Sequence, residues 1–217
     1  MELLFKFFAE NQPLMLRLIQ EHLTLSASGT IVGFAIALPM ALVATRLPAL
    51  GSGLSVFANL AQTIPSLAIL GLAIPLLGIG FAPALLALTL RALLPIYLNA
   101  YVALREVDPA LLEAARGIGM TRGQRLLRIE LPLASPGILG GLRTAAVESV
   151  GIATLAAFIG GGGLGDLILQ GIALRDNTRL LAGAVPAAAL AISVEMLLWL
   201  LQTQLARLVG VDRRVRS

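Results

Sequence analysis

Long apolar segments constrain the fold of this chain more than any other feature of its sequence. The chain has 217 residues, of which 58% are hydrophobic and 13% are charged. One soluble core could not bury so much apolar surface, whereas a lipid bilayer accepts it. Segments long enough to cross about 30 Å of hydrocarbon cover residues 23–45, 54–77, 83–104, 134–159 and 181–205. We therefore predict one all-α integral membrane domain over residues 1–217, with five transmembrane helices.

The arginines predict the orientation of these helices. The loops after the first, third and fifth spans lie on the same side, and they contain most of the basic residues: Arg46, Arg105, Arg116, Arg122, Arg125, Arg128, Arg207, Arg213, Arg214 and Arg216. Because basic residues favour the cytoplasmic side, we expect the N-terminus outside and the C-terminus in the cytoplasm. Residues 1–22 lack a cleavable signal pattern and are amphipathic, so we expect them to lie at the membrane interface.

Ionisable residues inside the predicted spans are the strongest local signal in the apolar regions. They are Arg91, Arg143, Glu148 and Glu195. A charge in a membrane costs about 2.5–3.5 kcal/mol on insertion scales, so such residues face a cavity or a partner. We predict that Arg91 pairs with Glu148 or Glu195, and that Arg143 reaches towards the interface. Contacts within the helix bundle and a role along a transport pathway both remain open for these charges.

Enzymatic and metal-binding functions have little support in the sequence. The chain contains no cysteine and a single histidine, His22, which has no second histidine with which to share a metal. We interpret His22 as an ordinary interfacial residue, and we expect no catalytic residues and no metal site. The formal net charge of +4 comes mainly from loop arginines, which are typical of topology signals rather than of a nucleic-acid-binding face.

A glycine-rich stretch follows the fourth predicted span. A phosphate loop would need a preceding strand and a lysine followed by serine or threonine, and this stretch has neither. We interpret Gly161, Gly162, Gly163 and Gly165 as part of a tight turn at the outer end of the fourth span, near a gate.

The polar loop over residues 105–132 predicts two short helices on the cytoplasmic side. Asp108 and Pro109 are a typical helix start, and Gly117 and Gly119 end that helix. Thr121, with Gln124 three residues later, indicates a capping box that begins a second helix. Small and apolar residues are expected to be exposed in this loop, at Ala114, Ala115, Gly119 and Met120. Such exposure favours a docking surface, with a hairpin packed on the membrane as the alternative.

The same loop resembles the EAA loop of ABC-importer permeases. The family pattern is E-A-A, three residues, G, nine residues, then I-x-L-P, and it matches Glu113-Ala114-Ala115, Gly119, Ile129 and Leu131-Pro132. The resemblance implies a coupling helix that docks on a separate ATPase subunit, which binds ATP and Mg²⁺, so that this chain binds no cofactor and is not itself an enzyme. It assigns ATPase coupling to Glu113, Ala114, Ala115, Gly117, Gly119 and Met120.

Other stretches are similar to the permeases of osmoprotectant importers within this family. They cover residues 62–68, 74–80, 94–96, 116–121 and 153–166. The resemblance implies import of glycine betaine, carnitine or choline, with a methionine-type amino-acid permease as the alternative. A carrier driven by an ion gradient is the alternative from another class, although no internal repeat is visible.

The resemblance also implies partners and a location. We expect two ATPase subunits, an extracytoplasmic binding protein that docks near residues 160–166, and a second permease copy, identical or related, with the pathway at the dimer interface. Nucleic acid is not expected as a partner. The chain is expected in the lipid bilayer of the bacterial cytoplasmic (inner) membrane, as a multi-pass protein.

Overall fold

Helices make up almost all of the described chain. The computed structural model describes residues 2–209, except for the side chains of residues 48 and 50, and that range contains no strand. The helices are α1 (Glu2–Glu10), α2 (Gln12–Ala44), α3 (Pro48–Gln62), α4 (Ser66–Leu77), α5 (Phe81–Arg105), α6 (Pro109–Gly117), α7 (Arg122–Arg125), α8 (Leu131–Ala153), α9 (Gly165–Leu174) and α10 (Asn177–Val209). A π-helical turn (Leu126–Glu130) precedes α8 and a 3-10 turn (Thr154–Ile159) follows it. The all-α prediction is confirmed.

Four helical stretches of the described chain are long and apolar enough to cross a membrane. They are Gln12–Ala44, Phe81–Arg105, Arg122–Ile159 and Asn177–Val209, and a bent pair makes five if it counts as one span. The bent pair covers the predicted span over residues 54–77, which is not one straight helix, because α3 and α4 meet at 99°. Pro65 explains the break, since proline has no N–H to donate and disfavours helical geometry at the preceding residue, Ile64.

Helix α5 forms the centre of the bundle and packs against both α2 and α8, which also contact each other. Small residues let the backbones approach closely, as expected where helices pack in lipid. A Cβ atom on Gly33 of α2 would lie 2.9 Å from the Cβ of Ala92, and one on Gly141 of α8 would lie 2.9 Å from the carbonyl oxygen of Pro95. Larger side chains at these glycines would push the helices apart.

The helix ends collect at two opposite ends of the bundle. At the glycine end, which contains Glu21 and residues 78–80 and 159–165, the Gly80 N–H donates to the carbonyl of Ile159 at 2.7 Å. At the loop end, which contains residues 45–47 and 105–130, Arg46 Nη2 lies 2.8 Å from Glu130 Oε2. The connections between successive long helices thus alternate between the two ends, which agrees with the predicted order of the spans. Which end faces the cytoplasm stays a prediction, and Arg213, Arg214 and Arg216 lie outside the described residues.

The N-terminal segment divides into two helices rather than forming one piece. Helix α1 ends at Glu10, and residues 12–22 are the first turns of the long helix α2. Leu4, Phe7 and Phe8 of α1 pack on a cluster at the glycine end that α2, α9 and α10 share: Met15, Leu18, Leu164, Leu167, Ala182 and Ala187. An interfacial location for residues 1–22 remains a prediction.

Candidate functional site

The polar loop over residues 105–132 is called the coupling loop below, after its predicted role. Its first short helix begins as the sequence predicts. The Asp108 carboxylate accepts a hydrogen bond from the Ala110 N–H at 2.9 Å, and Pro109 occupies the first helical position. Capping of this kind satisfies backbone donors that have no partner within the helix. Helix α6 is therefore held at the loop end by local chemistry.

A glycine corner ends α6. Gly119 has a φ of +82°, a conformation that side chains disfavour, and the Met120 N–H donates back to the carbonyl of Ala115 at 3.0 Å. The predicted capping box follows, with the Thr121 N–H donating to Gln124 Oε1 at 2.8 Å and the Gln124 N–H donating to Thr121 Oγ1 at 3.3 Å. Gly119 and this box together set the angle at which the chain leaves α6.

The second short helix is not a separate element. Helix α7 continues through the π-helical turn into α8, so the chain is helical without a break from Arg122 to Ile159. The Leu131 N–H donates to the carbonyl of Leu126, five residues earlier, just before Pro132. The π-helical turn shifts the backbone hydrogen bonds from four to five residues apart just before Pro132, whose nitrogen has no hydrogen to donate. The loop is therefore rigidly joined to the fourth long helix.

Most of the residues assigned to ATPase coupling lie on the surface. Glu113, Ala114, Gly117 and Gly119 are exposed, and Met120 is half-buried. Ala115 is an exception, with only 3% exposure, which corrects the prediction that it is exposed. It lies two residues from Glu113, about 200° around the helix, and therefore on its inner side.

An open apolar groove runs along the inner side of α6. Its walls come from α6, from the start of α8 and from the end of α10, and they include Ala115, Met120, Ile129, Leu133 and Leu208. Ala115 therefore contributes to the seating of α6 on the bundle rather than to its outer surface.

An ion pair that the sequence did not predict joins α2 to the base of α8. Arg46 Nη2 lies 2.8 Å from Glu130 Oε2, and Glu130 is 5% exposed. Arg125, one of the predicted topology signals, is also buried. Arg46 and Glu130 are 84 residues apart in the chain, so no local sequence pattern could have indicated the pair.

The predicted pairing of the intramembrane charges is wrong. Glu195 pairs with Arg143, whose Nε lies 3.3 Å from Glu195 Oε1, because α10 packs along α8. Arg143 also donates through Nη1 to Gln202 Oε1 at 2.8 Å. The Gln202 Nε2 amide in turn donates to the carbonyl of Pro136 at 2.9 Å. Arg143 therefore holds α8 and α10 together, and its reach towards the interface remains a prediction.

Arg91 has a backbone partner instead of a carboxylate. Its Nη1 donates to the carbonyl of Gln62 at 3.0 Å, at the end of α3 where the helix breaks. A cation at a helix C-terminus is favoured because the carbonyls there lack helical partners. Glu148 is exposed and forms no ion pair within the described residues, so pairing with Arg91 is wrong for Glu148 as well.

The predicted tight turn is present at the glycine end. Gly160, Gly162 and Gly163 have φ values of +72°, +77° and +85°. A Cβ atom on Gly165 would overlap the carbonyl oxygen of Thr154, so the turn also needs glycine for space. A role for this turn in gating remains a prediction.

Helix α2 holds this turn through two adjacent residues. The Gly163 N–H donates to Glu21 Oε2 at 3.1 Å, and Arg17 Nε donates to Glu21 Oε1 at 2.7 Å. His22 Nε2 lies 2.9 Å from the carbonyl oxygen of Val150. His22 is 0% exposed, so its interpretation as an interfacial residue is wrong: α2 begins ten residues before it and carries it into the bundle.

Asp166 lies beside this group at the start of α9. Burial raises the pKa of the Asp166 carboxyl above its ordinary value. The negative charge of Glu21 raises this pKa further, and the positive charge of Arg17 lowers it.

Comparison with known proteins gives the family. Residues 13–211 match the family described as "binding-protein-dependent transport system inner membrane component". The choline transport system permease protein OpuBB of Bacillus subtilis (strain 168) is 43% identical, with 89% of each chain covered. The glycine betaine/carnitine/choline transport system permease protein OpuCB of the same organism is 43% identical, with 82% of each chain covered.

The fold also matches a solved structure. The MetNI methionine ABC transporter, in an inward-facing conformation, has a chain that is similar with a TM-score of 0.77 and 26% identity, with 91% of this chain and 97% of that chain covered. The chain is thus an integral membrane transport subunit of the ABC-importer type, a class that works with an ATPase and a binding protein. It belongs to the family of binding-protein-dependent transport system inner membrane components.

Proposed function

We propose that this chain forms the translocation pathway of an ATP-driven importer of an osmoprotectant such as glycine betaine, carnitine or choline. The observation that supports this most is the 43% identity to two permeases whose names give these substrates, over more than four fifths of each chain. The binding protein would deliver the substrate at the glycine end, and the loop end would face the cytoplasm of a bacterium.

ATP-driven coupling would act through α6. Its outer face carries Glu113 and Gly117, the exposed Ala114 lies at the edge of the groove, and the exposed Gly119 follows the helix. The adjoining Ile118 is 80% exposed, and a large apolar side chain exposed at a polar loop is a usual mark of a docking surface. ATP and Mg²⁺ would be bound by the ATPase subunit, whose closure would push on α6. Because α7 continues into α8, that movement would reach the bundle through a rigid helix.

A second permease copy, identical or related, would complete the pathway. The bent pair α3 and α4 has large exposed apolar side chains along both helices, including Phe57, Leu60, Leu72 and Leu76. These side chains suit lipid or a second copy, and a single bundle of this size encloses little space for a solute.

A methionine-type amino-acid importer is the second candidate. The structural similarity to the methionine transporter favours it, with a TM-score of 0.77. Identity to that chain is 26%, against 43% for the osmoprotectant permeases, so we place it second.

The test is uptake by the reconstituted system. The permease, its ATPase and its binding protein are placed in liposomes, and uptake of labelled glycine betaine, carnitine, choline and methionine is measured with and without ATP. We expect ATP-dependent uptake of at least one quaternary amine. Uptake of methionine alone would support the second candidate, and uptake driven by an ion gradient without ATP would contradict the mechanism.

A matched pair of variants tests α6 in the same assay. A Cβ atom added at Gly117 meets no atom of this chain within 4 Å and the position is exposed, so Gly117→Trp should fold normally and obstruct docking of the ATPase. The control is Ile192→Trp in α10, a helix outside the coupling loop, where the side chain is 61% exposed. We expect Gly117→Trp alone to lose ATPase stimulation and uptake, and equal activity of the two variants would contradict coupling at α6.

A further inference from the structure

Three of the four ionisable residues inside the spans have partners in this structure. Arg143 and Glu195 form an ion pair, and Arg91 donates to the carbonyl of Gln62. Glu148 is the exception among the described residues, since it is exposed and forms no ion pair. A lone carboxylate near the middle of a span is costly in lipid, so it faces water, a solute or another chain.

The exposed face of α8 is narrow and polar. Its exposed residues are Thr144, Glu148 and Gly151, spaced at i, i+4 and i+7, which places them in one stripe. The Thr144 hydroxyl donates to the carbonyl of Gly140 in the same helix. Glu148 is the charged residue among the three. We call Thr144, Glu148 and Gly151 the α8 stripe.

The other faces of α8 are occupied by its neighbours. Gly141 meets α5, and Ala146 lines a small apolar cleft that α2 and α10 also border. Ala146 lies about 200° around the helix from Glu148. The α8 stripe is therefore directed away from α2 and α10.

Helix α10 exposes many large apolar side chains, which suit lipid. They include Ile192, Met196, Leu197, Trp199, Leu200 and Leu201. The α8 stripe has small or charged residues instead, and lipid would leave gaps beside them. The stripe therefore suits a water-containing path.

The two tyrosines of α5 are not available to hold a cation. Tyr97 and Tyr101 are buried in α5 and stack on each other with ring centroids 5.8 Å apart. A quaternary ammonium group has no N–H to donate, so it is held by aromatic faces or by negative charge. The three residues of the α8 stripe include no aromatic side chain, so what the stripe offers to such a group is the negative charge of Glu148.

We propose that Glu148 attracts the quaternary ammonium group of the substrate as it passes the middle of the membrane, which makes the permease itself selective for cationic head groups. This inference rests on the proposed function. It adds a selection step to the one made by the binding protein. The positive charge would be attracted without a hydrogen bond, and the small residues of the α8 stripe would leave room for three methyl groups.

Glu148→Gln and Glu148→Asp test the proposal in the reconstituted complex. Uptake of the quaternary amines that wild type transports should fall about tenfold in Glu148→Gln, because a charge attraction is strong where water is partly excluded. Glu148→Asp keeps the charge and should retain most of the uptake. ATPase stimulation by the loaded binding protein should persist in both variants, which shows that they are folded and coupled. Glu2→Gln, an exposed carboxylate in α1, is the matched control and should transport as wild type does.

The outcomes separate this inference from the proposed function. If wild type takes up a quaternary amine and Glu148→Gln takes it up equally fast, only the role of Glu148 is overturned. Equal losses in Glu148→Gln and Glu148→Asp would show that the position matters for packing and not for charge, which also overturns it. If wild type takes up none of the three amines, the proposed function fails and the inference fails with it.

Discussion

His22 Nε2 lies 2.9 Å from the carbonyl oxygen of Val150, just before α8 changes into a 3-10 turn. The carbonyl can only accept, so Nε2 carries the hydrogen. The Thr154 N–H, which would close an α-helical bond to Val150, donates to the carbonyl of Gly151 instead. The histidine thus supplies a donor to a carbonyl that the tighter turn leaves free.

Loss of the His22 donor should destabilise the protein. In His22→Leu the buried Val150 carbonyl has no replacement donor, and an unsatisfied buried group costs about 1–3 kcal/mol. We expect a lower melting temperature for the purified protein in detergent. Ser28→Ala is the control, because the Ser28 hydroxyl bonds only within its own helix, to the carbonyls of Thr24 and Leu25. Equal melting temperatures of His22→Leu and Ser28→Ala would contradict this role.

Two neighbouring glycines of the coupling loop should respond differently to alanine. Gly119 has a φ of +82°, where a side chain costs about 1–2 kcal/mol, whereas Gly117 is helical. Neither position has an atom within 4 Å of an added Cβ, so only the backbone conformation separates them. Thermal unfolding should show a loss of stability in Gly119→Ala and none in Gly117→Ala. A Gly119→Ala variant as stable as wild type would show that the corner tolerates a side chain.

The Arg143–Glu195 pair should show energetic coupling between α8 and α10. Removing either charge leaves the other without its partner in an apolar region, so the stability losses of the two single variants should add up to more than the loss in the double variant. Polar contacts between membrane helices contribute about 0.6 kcal/mol on average and at most about 1.7 kcal/mol. We expect a coupling free energy in this range from Arg143→Met, Glu195→Gln and the double variant, measured by unfolding. A coupling free energy of zero would contradict the pair.

Asp166 should make stability depend on pH. Burial raises the pKa of its carboxyl in the folded chain, so the folded chain binds the proton more tightly than the unfolded chain does. Its contribution to stability is fully present below the unfolded pKa of about 3.9 and is lost as pH rises through the raised value. Melting temperatures of wild type and Asp166→Asn, measured from about pH 4 to about pH 7, should diverge in favour of the variant. A constant difference across this range would contradict the shift.

Local patterns predicted the elements of the coupling loop well. The cap of α6 by Asp108, the corner at Gly119 and the capping box of Thr121 and Gln124 are all present. Each of these depends on contacts within a few residues, so the sequence contains the information directly. The burial of Ala115 was missed because it depends on the groove that α8 and α10 help to form.

Partners between distant segments could not be predicted in the same way. Arg91, Arg143, Glu148 and Glu195 were recognised as charges inside spans, but their pairing was wrong. Which charges meet depends on which helices pack together and on their rotation, and hydropathy reports neither. The break at Pro65 was visible as a proline within a span, yet prolines also occur within the continuous helices α2 and α5.

The amino-acid sequence was enough to predict an all-helical membrane protein that resembles ABC-importer permeases, because apolar length and a short motif are properties of the chain alone. The packing of the helices was needed to show that His22 is buried against Val150, that Arg143 holds Glu195, and that Glu148 lies on an open face. The free energy of a polar group in a membrane depends on its neighbours in space, and those neighbours are set by which helices pack together.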